Sequence, residues 1–263
     1  MIAALRDVLL MTRRNLVHIA RDPMQLSDVT IQPVLFTLLF VYVFGSGIPV
    51  PGGTYAAFAV AGLLLLNLTT SSMGTAVGLT SDLSTGIIDR FRTLPMWSPA
   101  VLIGRSLTDL LTAALCTLIV LGSGLVVGWR PETGVGETVA GFGVALLFAY
   151  ALSWLGGCVG LWAKGVETAQ SFGFLVLFPL SFVSNALVPT RGMPEWLRTI
   201  ADWNPVSAVT AACRTLWGNP NPSAASAAWS MQHPVWTAVA WSVAILAVCV
   251  PLATALYRRR TTN

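Results

Sequence analysis

The residues able to do chemistry are few, and they are poorly placed for it. His18 and His233 both fall outside the long apolar runs, and Cys116, Cys158, Cys213 and Cys249 are far apart with no CxxC pair. Neither a metal site nor a disulfide framework follows from such spacing. Lys164 is the only lysine and alanine precedes it, so a phosphate-binding loop of the form GxxxxGK[ST] is excluded. Asp109 is the one carboxylate well inside an apolar run, about a turn from its end. A proton-coupled carrier usually needs acids at membrane depth, and paired carboxylates for acid–base work are missing too. What remains is a short island of opposite charges, Asp82, Asp89, Arg90, Arg92 and Arg105, punctuated by Gly86 and Pro95.

That island is framed by lipid-like sequence. No charge occurs from Val29 to Ser81, and over the chain 55% of residues are hydrophobic while 10% are charged. Soluble domains carry roughly 25% charged residues, so the composition predicts an integral membrane protein. The apolar runs are continuous rather than alternating, which selects helices over a β-barrel. The net charge of +4 does not point to nucleic acid, because the cations gather at helix ends.

The expected fold is all-α, a single membrane domain over residues 1–263 with six spans. Residues 2–21 set Leu5, Val8, Leu9, Thr12, Leu16 and Ile19 at helical spacing, with Arg6, Arg13, Arg14 and Arg21 on another face. This is a basic amphipathic helix in the headgroup plane, either a topology anchor or part of a docking surface; its charges also rule it out as a signal peptide. Pro23 ends it. Spans 1 to 5 fill residues 29–187: Val29–Phe44 with Gln32 and Pro33 at the entrance, Tyr55–Leu79, Leu107–Val127, Thr138–Leu161, and Gln170–Leu187 kinked at Pro179. Span 6 covers Val235–Leu256.

Residues 188–234 are too short-run to span. Trp196, Leu197, Ile200 and Trp203 share one face of a short helix, and after Asn204-Pro205 a second carries Val206, Val209, Cys213 and Leu216. Two such helices lie on the surface or dip into one leaflet. The second half of span 2, with Asn67, Thr70 and Ser71, is rich in small and hydroxyl residues; it either packs closely on other helices or lines a substrate path, with Phe178 and Ser181 of span 5 opposite. Asp109 either pairs with Arg105 or has a functional role of its own.

Orientation follows from the cations. With both termini cytoplasmic, the inner side holds Arg6, Arg13, Arg14, Arg21, Arg90, Arg92, Arg105, Lys164 and Arg258 to Arg260, and the outer side Arg130, Arg191, Arg198 and Arg214. In the island, Ile87, Ile88 and Phe91 form a small apolar face beside Asp89, Arg90 and Arg92. It is a docking knob or a connector held by headgroups.

Two stretches carry a specific resemblance. GIIDRFRTLPM followed by VLIGR and DLL, and SNALVPTRGMPEWLRTIADWNPVSAVTAACRTLW about 100 residues later, closely resemble the type-2 ABC exporter permeases, in their daunorubicin-resistance-like branch. With the hydropathy pattern, the likeness covers nearly the whole chain. It implies a permease in a bacterial inner membrane that pairs with a second permease chain and with a cytosolic ATPase dimer, which holds the ATP and Mg; no cofactor is bound by this chain. Asp82, Gly86, Ile87, Asp89, Arg90, Phe91, Arg92 and Pro95 would belong to a cytoplasmic coupling helix seated on the ATPase. Residues 2–21 would be the interfacial connecting helix. Pro194, Trp196, Trp203, Asn204, Pro205 and Arg214 would belong to outer re-entrant helices. Relatives carry a glutamate-rich turn before the glycine, where this chain has only Asp82. The function implied is ATP-driven export of an amphipathic or lipophilic compound; an ion-gradient-driven carrier or channel, or a non-transporting scaffold, is the alternative.

Overall fold

The computed structural model describes residues 2–85 and 100–262, and every regular element among them is helical. Helix α1 is Ile2–Arg21. It ends where expected, because Asp22 begins a new helix: its carboxylate accepts from the Met24 and Gln25 amides at 3.0 and 3.4 Å, with Pro23 at the first helical position. Helix α2, Pro23–Leu39, therefore starts six residues before the span expected from hydropathy and continues through a π turn, Phe40–Phe44. Pro33 lies inside it rather than at its entrance.

Thr54 caps α3, Tyr55–Ser84, by accepting from the Ala57 amide at 3.2 Å. Then follow α4, Ala100–Val126; α5, Val135–Trp162; α6, Val166–Phe182; α7, Glu195–Trp203; α8, Pro205–Leu216; α9, Trp229–Gln232; and α10, Pro234–Thr262. Five helices are long and apolar enough to cross a membrane: Pro23–Phe44, α3, Leu102–Val126, α5 and Pro234–Arg259. The 17-residue α6 falls short of that length.

The core lies between α3 and α5, flanked by α4, α8 and α10. Val60, Leu64 and Leu65 of α3 meet Phe148 and Leu152 of α5 and Val206 and Val209 of α8, all fully buried. In lipid the hydrophobic effect gives little gain for burying one apolar helix on another, so close packing and shared hydrogen bonds must do it. Gly156 and Gly160, four residues apart on α5, lie directly against the Ser72 and Ala76 carbonyls of α3, and the Thr80 hydroxyl donates to the Gly160 carbonyl at 2.9 Å.

Two expectations change. The span expected to reach Leu187 loses its helix at Phe182, leaving residues 183–187 as buried irregular backbone. Such backbone is tolerated at depth only when its polar groups find partners inside the protein, and here the Val183, Asn185, Ala186 and Leu187 carbonyls accept from Asn204, Arg214 and Tyr55 while the Asn185 amide donates to Ser207. Helix α1 does not lie on lipid alone. It buries Val8, Met11 and Thr12 against α4, where Thr12 donates to the Gly104 carbonyl at 3.3 Å, and it leaves Leu5 and Leu9 bare.

Candidate functional site

Two polar clusters stand at opposite ends of the bundle. At the α1 end, Asp82 on the last turn of α3 faces Arg14 of α1 at 3.3 Å and Arg105 of α4 at 3.9 Å. Arg105 also reaches Asp109, one turn along α4, at 3.7 Å and donates to the Gly74 carbonyl at 3.1 Å. Asp109 in turn accepts from Thr75 of α3 at 2.9 Å and Ser153 of α5 at 2.8 Å. One connected set of charges thus joins four helices. All four charged side chains are partly exposed, between 18% and 35%, so none of these pairs is sealed in the core, and the Arg14–Asp82 pair at the helix ends is of the weak, exchangeable kind. The pairing of Asp109 with Arg105 expected from their i,i+4 spacing is present. Thr75, Ser153 and the part played by Arg14 were not legible, since nothing local marks which hydroxyl faces an acid on another helix.

This set sits at the root of the segment expected to couple to an ATPase. Of that group, Asp82 is described; Gly86, Ile87, Asp89, Arg90, Phe91, Arg92 and Pro95 lie outside the described residues.

At the other end, Arg214 of α8 is fully buried. Its Nε donates to the Phe58 carbonyl of α3 at 3.0 Å, and its two terminal nitrogens donate to the carbonyls of Asn185 and Ala186 at 2.9 and 2.8 Å. The guanidinium lies 3.7 Å from the centre of the Phe58 ring. Among the described residues no carboxylate joins these contacts; backbone dipoles hold the charge. Gly62 makes the geometry accessible, because any side chain there would overlap the Ala186 carbonyl.

Asn204, between α7 and α8, completes the seat. Its amide nitrogen donates to the Leu180 and Val183 carbonyls at 2.7 and 2.6 Å, covering helix-end acceptors of α6, and its oxygen caps α8 at the Val206 amide, 2.8 Å. The Asn185 amide donates to Ser207 at 3.0 Å and its side chain to Ser223 at 2.9 Å. Pro205 takes the first helical position of α8, and Pro194 stands just before α7. Trp196 and Trp203 point outward, 67% and 50% exposed.

The residues weighed as a path are split by the structure. Asn67 is buried and donates to the Leu63 carbonyl of its own helix at 2.8 Å. Thr70 and Ser71 are exposed, with hydroxyls returned to the Asn67 carbonyl at 3.0 and 2.8 Å. On α6, Phe178 is stacked between Phe174 and Phe182, ring centres 4.8 and 4.2 Å apart, and half-exposed. Ser181 is buried, its hydroxyl without a partner among the described residues. A matching ladder, Phe36, Phe40 and Phe44, runs along α2.

Residues 6–216, which contain both clusters, match the family model described as ABC-2 type transporter. The chain belongs to the ABC-2 type transporter family. It is 32% identical to the daunorubicin resistance ABC transporter permease protein DrrB1 of Streptomyces coeruleorubidus, over 92% of this chain and 82% of that one. A probable doxorubicin resistance ABC transporter permease protein, DrrC of Mycobacterium tuberculosis, is 28% identical over 98% of this chain and 90% of its own length. A putative transport permease, ycf38 of Pyropia yezoensis, is 25% identical over 82% of this chain. The protein is thus a multi-pass ABC-2 permease, the membrane subunit of an ABC transporter, and its family implies an ABC ATPase as partner.

Proposed function

We propose that the chain is the permease half of an ATP-driven exporter for an amphipathic or lipophilic compound, of the drug, antibiotic or lipid kind. The observation that carries this reading is the clamp of Asp82 between Arg14 and Arg105. It joins the interfacial helix α1 to both helices that flank residues 86–99, so a push delivered to that segment reaches α3 and α4 together. Contacts that are polar and partly wet can differ between two states, which a driven switch requires.

In this reading there are six spans, the fifth being α6, whose helix stops at Phe182 where residues 183–187 turn into the protein. Both termini face the cytoplasm of a bacterial inner membrane, and α7 and α8 lie on the outer side. Gly86 to Pro95 forms the coupling helix, seated on a cytosolic ATPase dimer that binds ATP and Mg. A second permease chain, identical or not, closes a route along α2, α3 and α6, where the two phenylalanine ladders and the Thr70–Ser71 face are left uncovered.

The test is reconstitution with the partner ATPase, taking daunorubicin as first probe because a relative's name supplies it. Arg90→Glu or Gly86→Trp should abolish export and stimulated ATP hydrolysis while the permease folds normally. Transport by vesicles holding this chain alone, driven by an ion gradient, would refute the reading.

A further inference from the structure

Arg105 stands between two acids and is hydrogen-bonded to neither. One terminal nitrogen is 3.9 Å from Asp82 Oδ2, and its Nε is 3.7 Å from Asp109 Oδ1, where a charge-assisted hydrogen bond closes to about 2.7–2.9 Å. Among the described residues, the guanidinium's one hydrogen bond goes to the Gly74 carbonyl of α3, at 3.1 Å. It can lie across α3 because Gly78 has no side chain; a Cβ there would overlap it.

The two acids differ in what a bond to Arg105 would do. Asp82 is on α3, so closing on it ties α4 to α3 at the root of residues 86–99. Asp109 is on α4 with Arg105, so closing on it ties α4 only to itself. Asp109 is pinned from behind. Its Oδ2 accepts from Thr75 of α3 at 2.9 Å and from Ser153 of α5 at 2.8 Å. Its charge is thus held in a fixed place, near enough to draw the guanidinium from Asp82 and too far to capture it. Arg14, on the other oxygen of Asp82 at 3.3 Å, weakens the pull from that side as well.

We propose that Asp109 is a positioning residue for coupling and acts through Arg105. It holds the guanidinium off Asp82, and so keeps the tie between α3 and α4 breakable when residues 86–99 are pushed. What the tie transmits rests on the exporter reading above; the placement of Arg105 does not. If Asp109 only anchored helices, it would serve Thr75 and Ser153 alone, and an amide oxygen would accept from both hydroxyls as well. Positioning Arg105 needs the negative charge, and that is the difference to measure.

The experiment puts nitroxides at Ser84→Cys and Leu111→Cys, exposed positions on α3 and α4, in the full chain in nanodiscs. The four native cysteines are buried and leave this pair to be labelled. Double electron–electron resonance then reads the distance between the helices without any ATPase. Asp109→Asn should shorten and narrow the distribution, as Arg105 closes on Asp82, whereas Asp82→Asn should broaden it. Gly78→Ala, which lifts the guanidinium off α3 and leaves Asp109 untouched, should broaden it too. Asp109→Glu, which keeps the charge, should stay near the native distribution. With the partner ATPase added, Asp109→Asn should lower the maximal export rate about tenfold, within the usual range of coupling between sites. The cargo concentration at half-maximal rate should stay as it is, and Asp109→Glu should recover most of the rate. If Asp109→Asn and Asp82→Asn shift the distance in the same direction, or Asp109→Asn exports at the native rate, the proposal is overturned. Opposite shifts in the permease alone, with no ATP-driven export by the native chain, would uphold the placement of Arg105 and sink the exporter reading instead.

Discussion

The bundle treats positive charge differently at its two ends. Arg14 and Arg105 meet the Asp82 carboxylate on a neighbouring helix, and Arg105 also meets Asp109 on its own, through side chains that are partly exposed. Among the described residues Arg214 meets only backbone oxygens and a ring face, and it has no exposure. Side-chain pairs of the first kind are individually weak and can be exchanged. A guanidinium seated on carbonyls of the second kind cannot leave without stranding several buried acceptors at once. On the proposed coupling, the difference would separate a movable end from a fixed one: α3, α8 and residues 183–187 would form a pivot, and α1, α3 and α4 meet at the end where force would be applied.

The sharpest way to break this contrast is to remove Arg214. Arg214→Ala strands the Asn185 and Ala186 carbonyls in the core and should cost about 3 kcal/mol or more, seen as lost membrane yield or a collapsed unfolding midpoint in mild detergent. Arg214→Lys, a point charge without the fork, should recover only part of the loss. A variant with native stability would show that the seat is no pivot. Next in size, Gly62→Leu pushes a side chain into the Ala186 carbonyl; overpacking of this kind costs roughly 1–3 kcal/mol, and the backbone on both sides places it at the upper end.

The movable end should respond in the opposite manner. In a double-mutant cycle of Arg14→Gln and Asp82→Asn, stability should register a coupling of only about 0.2–1 kcal/mol, shrinking as salt is raised. Stimulation of the partner ATPase should fall well beyond what that stability change explains. A large, salt-independent coupling would instead mark a second fixed anchor. Smallest of all, Thr70→Ala should move the unfolding midpoint by less than about 0.5 kcal/mol, because its hydroxyl serves only its own helix; an effect confined to transport would place it on the cargo's route.

Much of this arrangement was legible before the fold was known. Uninterrupted apolar sequence announced α3 and α5, and the i,i+4 spacing of Arg105 and Asp109 announced their pair. Three things were not. Val183 to Leu187 is as apolar as the helix before it, so hydropathy extended that helix, although Asn185 bonds to Ser207 and Ser223 where a lipid-facing helix would have no use for it. The amphipathic stripe of α1 reads alike whether lipid or α4 covers it. Arg214 counted as an outer cation, but its partners are carbonyls, and every residue has one, so sequence carries no mark of which will be used.

On the proposed six-span reading, the early end of α6 has a mechanical effect on the surrounding bilayer. Seventeen residues rise about 26 Å, short of a hydrocarbon layer about 30 Å thick, and the next five residues are turned into the protein rather than carried across. Lipids beside this helix must thin by a few ångströms or tilt to cover it, at a modest cost per ångström. On that reading the membrane is dimpled beside the phenylalanine ladder of α6, and a lipophilic molecule leaving there would have less oil to cross than beside a full-length span.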